Sequence, residues 1–481
     1  MIYEIKDYIK NVFCIDARAL ALFRICIALL LIFDLIVRSF ALIAHYTDFG
    51  TLPLSFYFNN YLETSWISIH TLNGSPLFES ILFIIAGIFA VCLLIGYQTK
   101  LATILSWFML ISLHSRNPTI LQGGDIMLRV LVFWAMFIPL NLRYSLDAKF
   151  CKVKNCGKNI LSFGTAGILF QVAFVYFFSA LLKTGNEWIP NGTAIYYALQ
   201  LDQFVTYFGK FLLGFPAIMI GLTYFTYFLE LIGPILLFFP FYFKKVRLTA
   251  TFAFIILLGG MALSLRLGHF PFVGLTAFIL FLPSVFWDKL SNKRYLFKTK
   301  HAPINFINRD YKERYLKYIL NFFAFFFIIY ILFWNIQTLG NNAVPDKIEF
   351  VAQLLRIDQY WNMFSPFPLK DDGWYVAEGA FDNGVKIDLL REGQVVNYEK
   401  PGHVAALYKH ERWRKYLMNL WDGGYSHHRS YYLNYLCYNW NKEHDEDIGH
   451  VKLIFMLEVT GPDYKIEPIK EVVLEEVDCN T

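Results

Sequence analysis

Charge is scarce in this chain. Only 17% of its 481 residues are Asp, Glu, Lys or Arg, while 56% are hydrophobic and 19% aromatic. Soluble domains carry about 25% charged residues, so this composition, with a mean hydropathy of +0.42, excludes an ordinary soluble protein and indicates a polytopic membrane protein. The net charge of +5 never gathers into one block, which speaks for membrane topology and against nucleic-acid binding. Cysteine is sparse too: seven residues lie scattered. Cys14, Cys26 and Cys92 fall in or near apolar runs, and Cys437 and Cys479 in the tail. Cys151 and Cys156 frame "CKVKNC", a spacing too loose and basic for a zinc site. Neither a disulfide framework nor a metal centre is expected. Internal repeats and low-complexity tracts are also missing. The opening "MIYEIKDYIKNVFCIDARAL" lacks the order of a signal peptide and reads as an amphipathic lead-in helix.

Long apolar runs dominate what is there. They lie at 18–37, 77–96, 100–115, 127–142, 163–183, 216–242, 247–266, 271–287 and 316–338. That is about nine spans, each needing roughly 17–25 residues; the third, fourth and eighth runs are short for this. The stretch "LDQFVTYFGKFLLGF" (201–215) reads as a further interfacial or re-entrant helix. Positive charge collects in alternate loops, and residues 45–76 hold no Lys or Arg. The positive-inside rule then puts the N-terminus in the cytoplasm and the tail outside, in a periplasm or its equivalent. The expected architecture is an all-α membrane bundle over 1–338 and a small α+β extracytoplasmic domain over 339–481. In that tail, "YVAEGAFDNGVKIDLL" reads as two strands joined at Asp382-Asn383-Gly384. "HERWRKYLMNLW" and "RSYYLNYLCYNWNKE" read as helices, and "HVKLIFMLEVTG" as a strand.

Ionisable residues inside spans are costly, and are paired or functional. Asp34 reaches Arg38 at i+4. Arg24 lies about 15 Å of helix rise from Asp34 and needs a partner elsewhere, for which the deep Glu230 is the best candidate. "RNPTILQGGDIMLR" places Asp125 at a helix N-terminus, within i+4 reach of Arg129. It serves either as a cap or as part of a polar patch at a cavity mouth. "SLRLGHF" puts Arg266 and His269 on one outer side, with His114 at a similar level. The adjacent His427 and His428 are a weak metal signal, since neighbours on a helix point apart. Lys183 follows the apolar run "FGTAGILFQVAFVYFF", with Gly185, Glu187 and Trp188 behind it. Two readings stand: a snorkelling anchor, or an amine whose burial disfavours the ammonium and makes it a general base. Glu187, close in sequence, favours the charged form.

Four stretches, "RALALFRICIALLLIFDLIVRS", "GGDIMLR…W…FIPLNLRYSLDA", "LLKTGNEWIPNGTAIYYAL" and "QYWNMFSPFPLKDDGWY", together resemble the horizontally transferred transmembrane (HTTM) domain family, to which the vitamin K-dependent gamma-carboxylases are related. The resemblance runs from Ala17 to about Tyr375. It implies about nine helices and a lumenal or periplasmic C-terminal domain. It further implies a reduced quinone, a vitamin K-like hydroquinone, as cofactor. Lys183, five residues before Trp188, matches the carboxylase lysine that acts on that cofactor. On this reading Lys183, Asp125 and His269 are catalytic, and Trp188, Arg266 and Tyr196 bind the cofactor. Two departures stand out. The carboxylase histidine beside the start of the fourth span falls at Gly123-Gly124-Asp125, where there is none. The large lumenal portion is replaced by a shorter tail of different pattern.

Two functions from different classes compete. One is a quinol-dependent, carboxylase-like membrane enzyme, which predicts an apolar cavity beside Lys183. The other is a non-catalytic membrane module that binds an exported polypeptide, lipid or partner protein. It predicts an exposed "YWNMFSPFP" and a solidly packed bundle. A transporter is weaker than either, for no paired broken helices occur in matching halves.

Overall fold

The computed structural model describes residues 2–61, 68–150, 159–293, 311–462 and 464–479. The "CKVKNC" segment and most of the basic loop after the eighth apolar run lie outside them. The lead-in is a helix, α1 (Ile2–Phe13). A two-residue strand, β1 (Ile15–Asp16), follows and pairs antiparallel with β2 (Asn159–Ile160). The bundle is then built from α2 (Ala17–Ser39), α3 (Pro76–Ile95), α4 (Thr99–Arg116), α5 (Gly123–Ala135), α6 (Phe163–Leu182), α7 (Pro216–Leu236), α8 (Phe243–Ser264), α9 (Phe270–Phe278), α10 (Ser284–Lys293) and α11 (Tyr311–Gln337).

Local sequence sets where these helices begin. The Asp16 carboxylate caps α2 by accepting from the Arg18 N–H. Ser75 caps α3 ahead of Pro76, a residue that needs no N–H partner at that position. Ser162 and Thr165 form a reciprocal capping box on α6. Apolar faces then close on one another: α2 on α3, α6 on α7 and α11, α8 on α9, and α5 on α4, α6 and α9. Phe23, Leu131, Trp134, Val172, Phe254 and Phe278 lie in the shared core.

Among the described residues six helices are long and apolar enough to cross a membrane. The eighth apolar run adds a seventh if its bent pair, α9 with its 3-10 extension followed by α10, counts as one span; the bend is 95°. The third and fourth runs also form helices. However, α5 has only 13 residues, about 20 Å of rise against a hydrocarbon core of about 30 Å. The 201–215 stretch yields a short helix at Tyr207–Leu212.

Beyond α11, residues 344–361 return to the bundle. Val344, Ala352, Ile357 and Trp361 join its core, and Gln359 bonds to Gln171 of α6 at 2.7 Å. The tail then forms a five-stranded antiparallel sheet in the order β5-β4-β3-β6-β7. Its strands are β3 (Asp371–Ala380), β4 (Lys386–Asp388), β5 (Gln394–Val395), β6 (His450–Val459) and β7 (Lys470–Asp478). The expected hairpin is present: Gly384, at φ +85°, supplies the left-handed residue between β3 and β4. Helices α12 (Glu411–Trp421) and α13 (Arg429–Glu443) bury Tyr416, Leu420, Tyr432 and Leu433 against Tyr375 and Phe455 of the sheet. Tyr46, Phe83, Leu113 and Ile120 of the bundle enter the same cluster.

Among the described residues one disulfide does form, between Cys437 and Cys479. Its sequence separation of 42 hid that β7 packs beside α13, bringing the residue after the strand to the helix.

Candidate functional site

The amine of Lys183 is buried, with the residue only 5% exposed. Lys183 caps the C-terminus of α6. Its Nζ donates to Glu230 Oε2 at 2.6 Å and to Ser179 Oγ at 2.6 Å. It also lies 5.0 Å from the centroid of the Trp188 ring. Glu230 belongs to α7 and is itself buried. Two turns before Lys183 on α6, Tyr176 packs on Phe254 and Phe278, and among the described residues its buried hydroxyl has no hydrogen-bond partner. The loop after Lys183 is held by the tail: Gly185 N–H donates to Pro366 O, and Trp188 Nε1 donates to Phe364 O at 3.0 Å. Two stretches far apart in sequence, "KTGNEW" and "MFSPFP", are therefore one structural unit.

This geometry corrects three expected pairs. Glu230 pairs with Lys183, not with Arg24. Arg24 donates instead to Tyr144 O at 2.5 Å, in the loop that joins α5 to α6, while the antiparallel packing of α6 and α7 gives Glu230 to the lysine. Glu187 turns away from Lys183 to Lys370, at 2.6 Å. Arg129 pairs with Asp358 at 2.7 Å rather than with Asp125, because two other arginines already hold the Asp125 carboxylate.

Those arginines define a second centre. Asp34 accepts from Arg38 Nε at 2.8 Å and from Arg412 Nη2 at 2.5 Å. Asp125 accepts from Arg38 Nη2 at 2.6 Å, from Arg412 Nη1 at 2.5 Å and from the Gln122 N–H at 2.7 Å. All four side chains are essentially solvent-free. Two guanidiniums face two carboxylates, so the charges balance, and every carboxylate oxygen is used. His114 and His269 each approach Asp125 Oδ1 at 3.6 Å, and the Tyr46 hydroxyl accepts from Arg38 at 2.6 Å. The donor atoms of Asp34, Asp125 and His269 lie within 4.8 Å of one another, as metal ligands would. A divalent cation placed there would, however, face both guanidiniums.

The fold thus brings together Asp125 and His269, two of the three residues expected to be catalytic, and seats Lys183 in the other centre. The two centres share no side chain. Of the residues expected to hold a cofactor, Trp188 touches Lys183, Arg266 bonds to His403 at 2.9 Å, and Tyr196 packs on Tyr464 of the tail at 4.2 Å. His428 bonds to Tyr61 at 2.6 Å, and burial pushes it down to about 3, leaving the ring neutral. Sequence reading missed Ser179, Glu411 and Arg412. Arg412 gave no signal, because nothing in "HERWRK" sets it apart from its basic neighbours on the same helix. The proximity of His269 to Asp125 was equally hidden. Gly124 makes it possible: a Cβ there would meet His269 Nε2 at 3.0 Å and Phe270 N at 2.9 Å.

Two cavities stand out. One, about 20 Å³ in volume, lies in the apolar interior beside Asp34 and His70. The other is a cleft of about 360 Å³ between residues 262–272 and residues 405–414 of the tail. Neither is lined by Lys183.

Apolar helices closed around buried ion pairs, with a sheet domain seated on the bundle, define an integral membrane protein of the multi-pass helical class. The chain matches the HTTM domain family over residues 14–287. That stretch is more than half of the 481 residues, and the chain belongs to the HTTM domain family. No curated protein and no solved structure matches it.

Proposed function

We propose that this chain is a membrane-embedded enzyme of the carboxylase-related type, with Lys183 as its base. The observation that carries the reading is the buried Lys183–Glu230 pair, closed off by Ser179 and Trp188. In a low-dielectric setting an ion pair loses much of its advantage over the neutral pair. A proton passed from Lys183 to Glu230 leaves a free amine and a carboxylic acid with no net change in charge. The amine then accepts a proton from a bound acid, and Glu230 holds the displaced one.

A reduced quinone bound here would supply the acidic hydroxyl and the reducing electrons. Two features suit such a group, the flat indole face of Trp188 beside the amine and the orphaned Tyr176 hydroxyl two turns back along α6, while neither of the two cavities reaches Lys183, so binding requires the site to open. In the second centre His269 lies against Gly124, in the stretch where the family resemblance asks for a histidine, and 3.6 Å from Asp125; the reading gives His269 that assisting role. The non-catalytic reading asks instead for an exposed "YWNMFSPFP". The stretch divides: Tyr360 and Phe367 are exposed, as that reading asks, whereas Trp361 is buried and the Phe364 carbonyl holds Trp188 beside Lys183, which supports the enzyme.

The proposal includes nine spans, with the short α4 and α5 shielded by their neighbours, a cytoplasmic N-terminus and an extracytoplasmic tail. The loop charges and the Cys437–Cys479 bond, which belongs to an oxidising compartment, support that topology. The test is quinone binding together with proton or carbon-dioxide exchange by purified protein, wild type against Lys183→Ala. Exchange lost with the fold retained is the expected result. Failure of both proteins to bind any quinone sinks the reading.

A further inference from the structure

The larger cleft has two unlike walls. One comes from the end of α8 and the start of α9, with Leu265, Pro271 and Phe272. Phe272 and the neighbouring Leu263 are 52% and 62% exposed, as lipid-facing side chains at the end of a span would be. The other wall comes from the tail and is basic, with Lys409 and Arg414 facing Arg266 across the opening.

Arg414 is the telling residue. It is only 4% exposed, yet among the described residues no carboxylate lies within ion-pair distance of it. Its guanidinium rests 4.6 Å from the centroid of Phe204 and donates to Gln203 O at 3.3 Å. Burial lowers it to about 10, so it stays charged at neutral pH. His410, the N-cap of α12, has a buried Nε2 without a partner at the same cleft. The one acid in the lining, Glu411, is turned inward to His269 at 3.6 Å. Its charge acts on Arg414 through space, but Arg266, Lys409 and Arg414 outnumber it and the wall stays net positive.

We infer that this cleft binds the headgroup of an anionic phospholipid, with the phosphate between Arg266 and Arg414 and the acyl chains leaving past Phe272 into the bilayer. An amphipathic lining calls for an amphipathic anion. A free anion would gain nothing from the apolar wall, and a neutral lipid nothing from three cations. Basic side chains at a membrane surface favour anionic lipids by roughly fivefold each, and the preference is screened by salt.

The inference is independent of Lys183, and its test uses no activity. The full chain, purified in a non-ionic detergent, is titrated with short-chain phosphatidylglycerol and short-chain phosphatidylcholine. Inorganic phosphate and a soluble glutamate-rich peptide are then added as competitors. Phosphatidylglycerol is expected to bind at least tenfold more tightly, with roughly fivefold lost in each of Arg266→Gln and Lys409→Gln. These two positions serve because Arg414→Gln risks the packing on Phe204. Equal binding of the two lipids, or affinities unchanged in both variants, overturns the inference. Displacement by millimolar phosphate makes the cleft a free-anion site, and displacement by the peptide makes it a polypeptide site; either result also overturns it.

Discussion

Lys183 and Glu230 illustrate how a buried charge acquires its meaning from its partner. Removing one member of such a pair strands the other, at a cost of about 3–5 kcal/mol. Lys183→Met and Glu230→Gln should therefore each lower the melting temperature of the detergent-solubilised protein, and the double variant should recover most of the loss. If the lysine is a base, that recovered protein is still inactive, which separates structure from chemistry in one comparison. Arg412 poses a harder case, since it serves two carboxylates at once. Arg412→Lys keeps the charge but cannot span both Asp34 and Asp125 with one planar fork. It should be destabilised nearly as much as Arg412→Gln, as read by thermal unfolding; full stability in the lysine variant would show that charge alone suffices. The Asp34–Arg38 half of this centre was legible in the sequence, because i+4 spacing fixes it. Arg412 was not, because nothing local distinguishes an arginine on the outside of a tail helix from one inserted into a membrane bundle.

At the scale of elements, periodicity located most helices and two of the three long strands of the tail, β3 and β6, because those signals are local; β7, rich in exposed glutamates, gave no clear alternation. Their arrangement is not local, and the errors fell there. Arg24 was offered to Glu230 because both are deep, although depth along two helices says nothing about which face each presents. The start of α5 is the element on which the second centre turns. Gly124 lets the His269–Phe270 backbone press against it. Gly124→Ala should force α5 and α9 apart, at about 1–3 kcal/mol for overpacking, and loosen the His269–Asp125 approach. Thermal unfolding checks the first effect. A change in the ring resonance of His269 on a histidine-labelled sample checks the second.

For the whole molecule, the join between bundle and tail carries a titratable group outside the spans. Asp372 of β3 accepts from the Asp202 N–H and from Gln203 Nε2 at 3.0 Å. Burial raises it to about 7, against about 3.9 in an unfolded chain. Its neighbours are Asp202, itself tied to Lys210 and Lys400, and beyond Lys400, Glu458. Between pH 4 and 7 the folded protein holds a proton at Asp372 that the unfolded chain has released. This contribution to stability is complete below about pH 4 and is lost as the pH rises through 7. The melting temperature of Asp372→Asn should fall less steeply than that of wild type from pH 5 to pH 8; identical slopes would show that the group does not couple the domains. The Arg412 contacts also impose an order on biosynthesis. Asp125 is made 287 residues, and Asp34 378 residues, before the arginine that joins them. Throughout that interval two carboxylates share only Arg38, and the bundle is charged, incomplete and open to recognition by membrane quality control. A chain cut short before residue 412 is thus not a smaller version of this protein but a permanently unfinished one.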